Sequence, residues 1–406
     1  MLTISNLSKS YGSHELLREA SLVIASDERI GLIGRNGYGK STLLKMILNE
    51  ESWDSGELKL QSGVSVGYLQ QHLNFTGKTI HEEVCQALPV QEGGYREEYK
   101  AEQILTGLGF HETQFTLSPT KFSGGFQIRI LLAKLLVSEP DLLLLDEPTN
   151  YLDITSLRWL ESFLRNWPKA LILITHDRRF LDAIVTHTVL IHRCKLKKLS
   201  GGTEKIYEQI AEEEEIHSRT VKNQQKRQAD TIRFIERFRS KASKAKQVQS
   251  RVKALAREEK LEDLSDIESL DFSFHPLPFA GKRLMNVEGI EFEYIPSKPL
   301  FQNLNFVIAP GEKIAVIGPN GKGKSTLLEV LAGVRAPTKG SMSRHADCDF
   351  GYFGQTNINR LSPHHTVEDE VLQAMPIPNR SRARGICGAM MFSGDLALKK
   401  TEVLSG

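Results

Sequence analysis

The strongest constraint on this fold is a long internal repeat. The stretch from Ile30 to Ile47, IGLIGRNGYGKSTLLKMI, returns from Ile314 to Leu331 as IAVIGPNGKGKSTLLEVL, a displacement of 314 − 30 = 284 residues. The element VGYLQQ ending at Gln71 returns as FGYFGQ ending at Gln355, and 355 − 71 is again 284. A register held that far implies two copies of one domain, because solenoid units are much shorter. The 406 residues accommodate two or three domains at ~150 residues each. Hydrophobic residues at 40% and charged residues at 25% exclude a disordered or fibrous chain.

In each copy an apolar strand candidate, Arg29 to Ile33 or Lys313 to Ile317, runs into a loop and then a helix-like STLL run. Both loops match GxxxxGK[ST]. The first offers Gly34, Asn36, Gly37, Tyr38, Gly39, Lys40, Ser41 and Thr42; the second offers Gly318, Asn320, Gly321, Lys322, Gly323, Lys324, Ser325 and Thr326. The glycines let successive backbone N–H groups turn inward around phosphate oxygens, and the helix N-terminus adds favourable dipole potential. Lys40 and Lys324 are expected to reach the β and γ phosphates of ATP, and Ser41 and Ser325 to ligate Mg2+.

Leu142 to Leu145 form a fully apolar run ending in Asp146-Glu147, the pattern of a buried parallel strand delivering carboxylates at its C-terminal edge. Asp146 is suited to hold Mg2+, and Glu147 to orient and polarise an attacking water. A second run, Ala170 to Ile174, ends in Thr175-His176-Asp177 and sets a histidine on the same edge as a γ-phosphate sensor.

The order of these elements, with Phe122-Ser-Gly-Gly125 between Gln71 and Leu142 and with Pro148-Thr-Asn-Tyr-Leu-Asp153 after Glu147, resembles an ATP-binding cassette. The string DEPTN-x-LD, two cassettes in one chain and a charged helical linker together resemble the bacterial ABC-F family. FSGGF and the linker string RFRSKASKAKQVQSR look most like its YheS-like branch. The resemblance implies α/β P-loop NTPase (ABC ATPase) cassettes with a parallel-sheet core and antiparallel β and helical subdomains, joined by a long α-helical linker. It implies a first cassette over 1–202, a linker over 203–282 and the N-terminal part of a second cassette over 283–406. It also makes Gln71 and Gln355 contacts of Mg2+ and the attacking water, Tyr11 and Tyr294 the aromatics stacked on adenine, and Ser123, Gly124 and Gly125 the signature that closes over ATP of the opposite cassette. The cassettes would pair within one monomer.

Some positions depart from the family pattern. FSGGF stands where most cassettes have LSGG, Tyr151 where the family usually has His, and the short span from Gln71 to Phe122 predicts a small or absent arm. The sequence stops at Leu404-Ser405-Gly406, inside the second signature, which reads as a fragment or truncated product that hydrolyses ATP slowly.

The net charge of +2 conceals a separation of charge. Neither Gly nor Pro occurs between Gly202 and Pro276, so that stretch is expected to be helical. From Arg219 to Arg257 thirteen Lys or Arg face two acids, a local 13 − 2 = +11, so the remainder sums to 2 − 11 = −9. On a helix, Phe234, Phe238, Ala242, Ala245, Val252 and Ala256 form one apolar stripe flanked by bases. Such a surface binds nucleic-acid backbone in a salt-dependent way. The resemblance points it at tRNA on the ribosome, with Arg237, Arg239, Lys241, Lys244, Lys246 and Arg251 as RNA contacts.

Two other readings use the same cassettes: a DNA-binding ABC ATPase, and the ATP-binding subunit of a membrane transporter. Four cysteines without a CxxC pair predict neither a zinc cluster nor a disulfide framework, and fit a reducing cytoplasm. No apolar run approaches the ~18 residues of a membrane span.

Overall fold

The computed structural model describes all residues except 13, 36, 70–74, 92, 239–278, 280, 355–360 and 405–406. The chain divides into two compact units, Met1–Glu262 and Asp263–Gly406.

The first unit is built on a six-stranded sheet. In chain order its elements are β1 (Leu2–Tyr11), β2 (His14–Ile24), β3 (Arg29–Ile33), α1 (Lys40–Ile47), β4 (Ser55–Leu60), β5 (Val66–Tyr68), α2 (Ile80–Cys85), α3 (Glu98–Gly107), α4 (Gly124–Val137), β6 (Leu142–Asp146), α5 (Ile154–Arg165), β7 (Ala170–Ile174), α6 (Arg178–Ile184), β8 (His187–His192), β9 (Lys195–Ser200) and α7 (Thr203–Phe238). The sheet order is β5-β6-β7-β3-β8-β9, with only β9 antiparallel. A separate antiparallel sheet runs β2-β1-β4.

The continuous apolar run of β6 follows from burial on both faces. Leu143 and Leu145 pack into a core with the helices α2 to α6, while Leu142 and Leu144 pack into a core with α1 and the antiparallel sheet. On β7, Leu171 and Leu173 join the helical side, and Ala170, Ile172 and Ile174 join the other. A strand sandwiched this way has no solvent face on which alternation could appear. The order β6-β7-β3 sets the C-terminal ends of these three strands side by side. In an open parallel sheet that edge is where ligands bind.

The helix α7 begins where Asp182 accepts from the Thr203 backbone N–H at 2.7 Å and from its hydroxyl at 3.0 Å. Ile206 and Ile210 anchor its start in the helical-side core. Arg237 lies within α7; Arg239, Lys241, Lys244, Lys246 and Arg251 lie outside the described residues. Among the described residues no helix is long and apolar enough to cross a membrane.

The second unit contains β10 (Met285–Ile295), β11 (Lys298–Ile308), α8 (Lys324–Leu331), β12 (Lys339–Arg344), α9 (Val367–Gln373) and α10 (Arg380–Ala389). Its strands form one antiparallel sheet, β11-β10-β12. Met285, Val287, Ile290, Phe292, Val330 and Leu331 make its core. Here one expectation fails: Lys313–Ile317 is not a strand, and Ile317 is 80% exposed. Its first-unit counterpart β3 is hydrogen-bonded on both sides, by β7 and β8, whereas the second unit's described strands are the three antiparallel ones. An apolar strand sequence without neighbours to pair its backbone does not settle into a ladder.

Candidate active site

The two glycine-rich loops share one backbone shape. Gly34 and Gly318 both have φ 155°, Gly37 and Gly321 have 80° and 79°, and Gly39 and Gly323 have 88° and 85°. Gly39, left-handed, sits at the N-cap of α1; a Cβ there would also press on the Leu16 side chain at 3.2 Å. No other residue type adopts that conformation and leaves the space. Lys40 Nζ donates to the carbonyl oxygens of Gly34 and Arg35 at 2.8 and 3.0 Å; Lys324 Nζ donates to Gly318 and Pro319 at 2.7 and 2.9 Å. Each ammonium is thus held over the hollow of its own loop.

At the end of β6 the carboxylates divide. Ser41 Oγ donates to Asp146 Oδ2 at 2.6 Å, which brings a hydroxyl and a carboxylate together as hard oxygen donors for Mg2+. Glu147 turns the other way, into the left-handed region at φ 50°. Its backbone N–H donates to Ile174 O at 2.9 Å, which fixes it against β7. Its Oε1 is buried without a hydrogen bond, 3.4 Å from His176 Nε2, and the His176 backbone N–H lies 3.4 Å from Oε2. Burial raises the Glu147 carboxyl above the usual range, with Asp146 adding to the rise and His176 and Lys40 opposing it. Burial lowers the Lys40 ammonium, against the pull of Glu147 and Asp146.

A carboxylate of raised basicity with one oxygen free of hydrogen bonds is equipped to take a proton from water. The residues present therefore fit Mg2+ with a triphosphate: a loop of inward N–H groups, a lysine, an oxygen pair for the cation and a base.

Tyr11, at the end of β1, is 49% exposed, with Lys9 Nζ 4.6 Å from its ring centroid. In the second unit Tyr294 is 58% exposed, and its hydroxyl meets Thr326 Oγ1 at 3.0 Å. Each ring also has a basic neighbour, Lys9 for Tyr11 and Arg335, 5.6 Å from the centroid, for Tyr294. Asn36, Gln71 and Gln355 lie outside the described residues.

Ser123 is the N-cap of α4, and Gly124 and Gly125 open the helix. The aromatic flanks of FSGGF have a packing reason: Phe122 and Phe126 lie 5.5 and 5.4 Å from Phe110, edge to face. A Cβ on Gly124 would meet nothing within 4 Å. Arg129, which sequence reading missed, lies fully buried on α4. It donates to Tyr151 O and Leu108 O at 2.9 Å and to Ser156 Oγ at 3.2 Å, with Asp153 Oδ2 at 3.5 Å.

A phosphate loop, an acidic strand end, a histidine and a glycine-opened helix arranged on the first unit's parallel sheet define an ATP-binding cassette ATPase. ABC transporter family profiles match residues 17–150 and 301–405, and residues 189–274. The chain is 33% identical to the Putative ATP-binding protein YdiF of Bacillus subtilis, over 100% of this chain and 69% of that protein. It is 31% identical to the Probable ATP-binding protein YheS of Escherichia coli K12, over 100% and 68%. It is 30% identical to human ATP-binding cassette sub-family F member 3, over 99% and 61%. The chain thus spans between 61% and 69% of these relatives' lengths. It belongs to the ABC-F family of ATP-binding proteins.

Proposed function

We propose that the chain binds ATP and Mg2+ at both glycine-rich loops, hydrolyses ATP at the first, and uses the nucleotide state to govern engagement with tRNA on the ribosome. The observation carrying the catalytic part is the buried Glu147 Oε1, of raised basicity and without a hydrogen bond, facing His176 Nε2 beside the Ser41–Asp146 pair. Lys40 and the loop N–H groups hold the β and γ phosphates; Ser41 and Asp146 hold Mg2+, which supplies charge neutralisation at the transferring phosphoryl group. Glu147 accepts the proton of the attacking water, and His176 reads the γ phosphate. Ser325 and Lys324 take the corresponding roles at the second loop, while Gln71 and Gln355 are assigned contacts of Mg2+ and water. Ser123, Gly124 and Gly125 serve as the signature.

The ribosomal part is supported by ABC-F membership and by the +11 segment between Arg219 and Arg257. Dense basic charge of one sign favours a polyanion, because an ordinary solvated helix mixes signs for i,i+4 pairing. The test is cosedimentation with ribosomes in non-hydrolysable ATP, for the native chain and for Lys241→Glu/Lys244→Glu. Nucleotide-dependent association lost in the variant is expected. Recovery in the membrane fraction instead, or preference for branched DNA over tRNA in competition, would overturn it in favour of a transporter subunit or a DNA-binding ATPase.

A further inference from the structure

The helix pair α2 and α3 carries a cluster that the nucleotide chemistry leaves unused. His81 and Cys85 stand four residues apart on α2, and Glu98 and Glu102 stand four apart on α3, so each pair occupies one helix face. Cys85 Sγ lies 3.6 Å from His81 Nε2, and His81 Nε2 lies 3.4 Å from Glu102 Oε1. One donor atom each from His81, Cys85 and Glu98 fall within 4.8 Å of one another.

These separations have a chemical meaning. Zinc holds thiolate sulfur at ~2.3 Å and imidazole nitrogen or carboxylate oxygen at ~2.0–2.2 Å in a tetrahedron, so its ligand-to-ligand edges are about 3.6 Å for S to N and about 3.4 Å for N to O. The sulfur–nitrogen and nitrogen–oxygen edges are already at those lengths, and a Glu98 oxygen lies within 4.8 Å of both the sulfur and a His81 nitrogen. The surroundings are electronegative: burial, then Glu98 and Glu102, push the Cys85 thiol up to about 11. Arg96, whose Nη1 donates to the Cys85 carbonyl at 3.0 Å, opposes that rise without cancelling it.

The second copy shows what else this place can hold. The helices α3 and α10 begin at Glu98 and Arg380 and end at Gly107 and Ala389, and both displacements are 282. Glu98 and Glu102 therefore correspond to Arg380 and Arg384, 282 residues on. Counting from the capping threonines Thr79 and Thr366, His81 corresponds to Glu368 and Cys85 to Leu372. There, buried Glu368 accepts from Arg380 Nε at 2.5 Å and Arg384 Nε at 2.8 Å, tying the two helices by an ion pair. The first copy has carboxylates where the second has guanidiniums, and no arginine from its own pair to balance them.

We propose that His81, Cys85, Glu98 and Glu102 bind a divalent zinc-type cation that fastens α2 to α3. The thiolate and imidazole donors select a borderline-soft ion over Mg2+, which separates this site from the nucleotide site. The second copy does the same job with an ion pair and needs no metal.

The probe is Co2+ added to the full chain. A sulfur-to-cobalt charge-transfer band and tetrahedral d–d bands saturating at one equivalent, bleached by Zn2+, are expected. Cys85→Ala should abolish the charge-transfer band, and replacing Cys194, Cys348 and Cys387 by Ser should leave it intact. Should Cys85→Ala fail to fold, the triple variant His81→Glu/Glu98→Arg/Glu102→Arg decides, because it installs the second copy's ion pair. Zn2+ should raise the melting temperature of the native chain and leave that of the triple variant unmoved. No band in the native chain, a band surviving in Cys85→Ala, or an equal Zn2+ response in the triple variant would overturn the proposal.

Discussion

Arg129 donates from Nε to the carbonyl oxygen of Tyr151 at 2.9 Å, joining the signature helix α4 to the loop that follows Glu147. The same guanidinium reaches Leu108 O and Ser156 Oγ, and faces Asp153, the N-cap of α5. One buried side chain therefore couples α3, α4, α5 and the 148–153 loop. Arg129→Ala leaves Asp153 and the carbonyls of Tyr151 and Leu108 without this partner, and it is expected to cost about 3–5 kcal/mol in a urea unfolding series. Arg129→Lys should recover little, since an ammonium cannot present the guanidinium's planar fork. Equal stability of Arg129→Ala and the native chain would contradict this account.

Much of the catalytic edge was legible because burial on two faces writes itself into sequence. The apolar runs at Arg29–Ile33 and Ala170–Ile174 are strands with those bounds, and Leu142–Leu145 is the body of β6. Lys313–Ile317 shows the limit of the same rule: an apolar run states a preference, and pairing partners decide whether it forms. Arg129 was invisible because a lone arginine in a helical run reads as a solvated one; only the fold shows that it faces inward. His81 and Cys85 give no signal in cysteine-to-cysteine spacing, because the site draws on a single cysteine. Their i,i+4 spacing gains meaning only when the two glutamates of α3 stand opposite.

In the proposed mechanism Glu147 sets the acid limb of turnover. Its carboxyl is raised above the ordinary range, so the base is lost to protonation as pH falls, at a higher pH than an ordinary glutamate would give. The kcat profile is expected to decline on its acid side above the usual carboxylate pKa of ~4.3. Glu147→Gln should lower kcat by about 10²–10⁴-fold while nucleotide affinity persists. Equal rates for the two proteins would remove Glu147 from its role.

If Tyr11 stacks on adenine, it offers a ring rather than a hydroxyl to the nucleotide. Tyr11→Ala is expected to weaken ATP binding by about 1–3 kcal/mol, the usual range for base-aromatic stacking, and Tyr11→Phe should bind within a few-fold of the native chain. Equilibrium binding of a fluorescent ATP analogue measures both. An alanine variant with native affinity would leave Tyr11 as a strand-end residue only.

Gly124 separates the demands of folding from those of function. Its φ is not left-handed, and a Cβ would meet nothing within 4 Å, so nothing in its own unit requires glycine there. Alanine in a helix is favoured over glycine by about 0.5–1 kcal/mol, so Gly124→Ala should leave the melting temperature unchanged or slightly raised. If the signature must let the nucleotide of the second loop approach its backbone closely, the added methyl group obstructs that approach, and ATP binding at the second loop should weaken while Mg2+-ATP still binds at the first loop. Native affinity at the second loop, measured in a folded Gly124→Ala chain whose first loop is disabled by Lys40→Ala, would show that the glycine serves no close approach at this position.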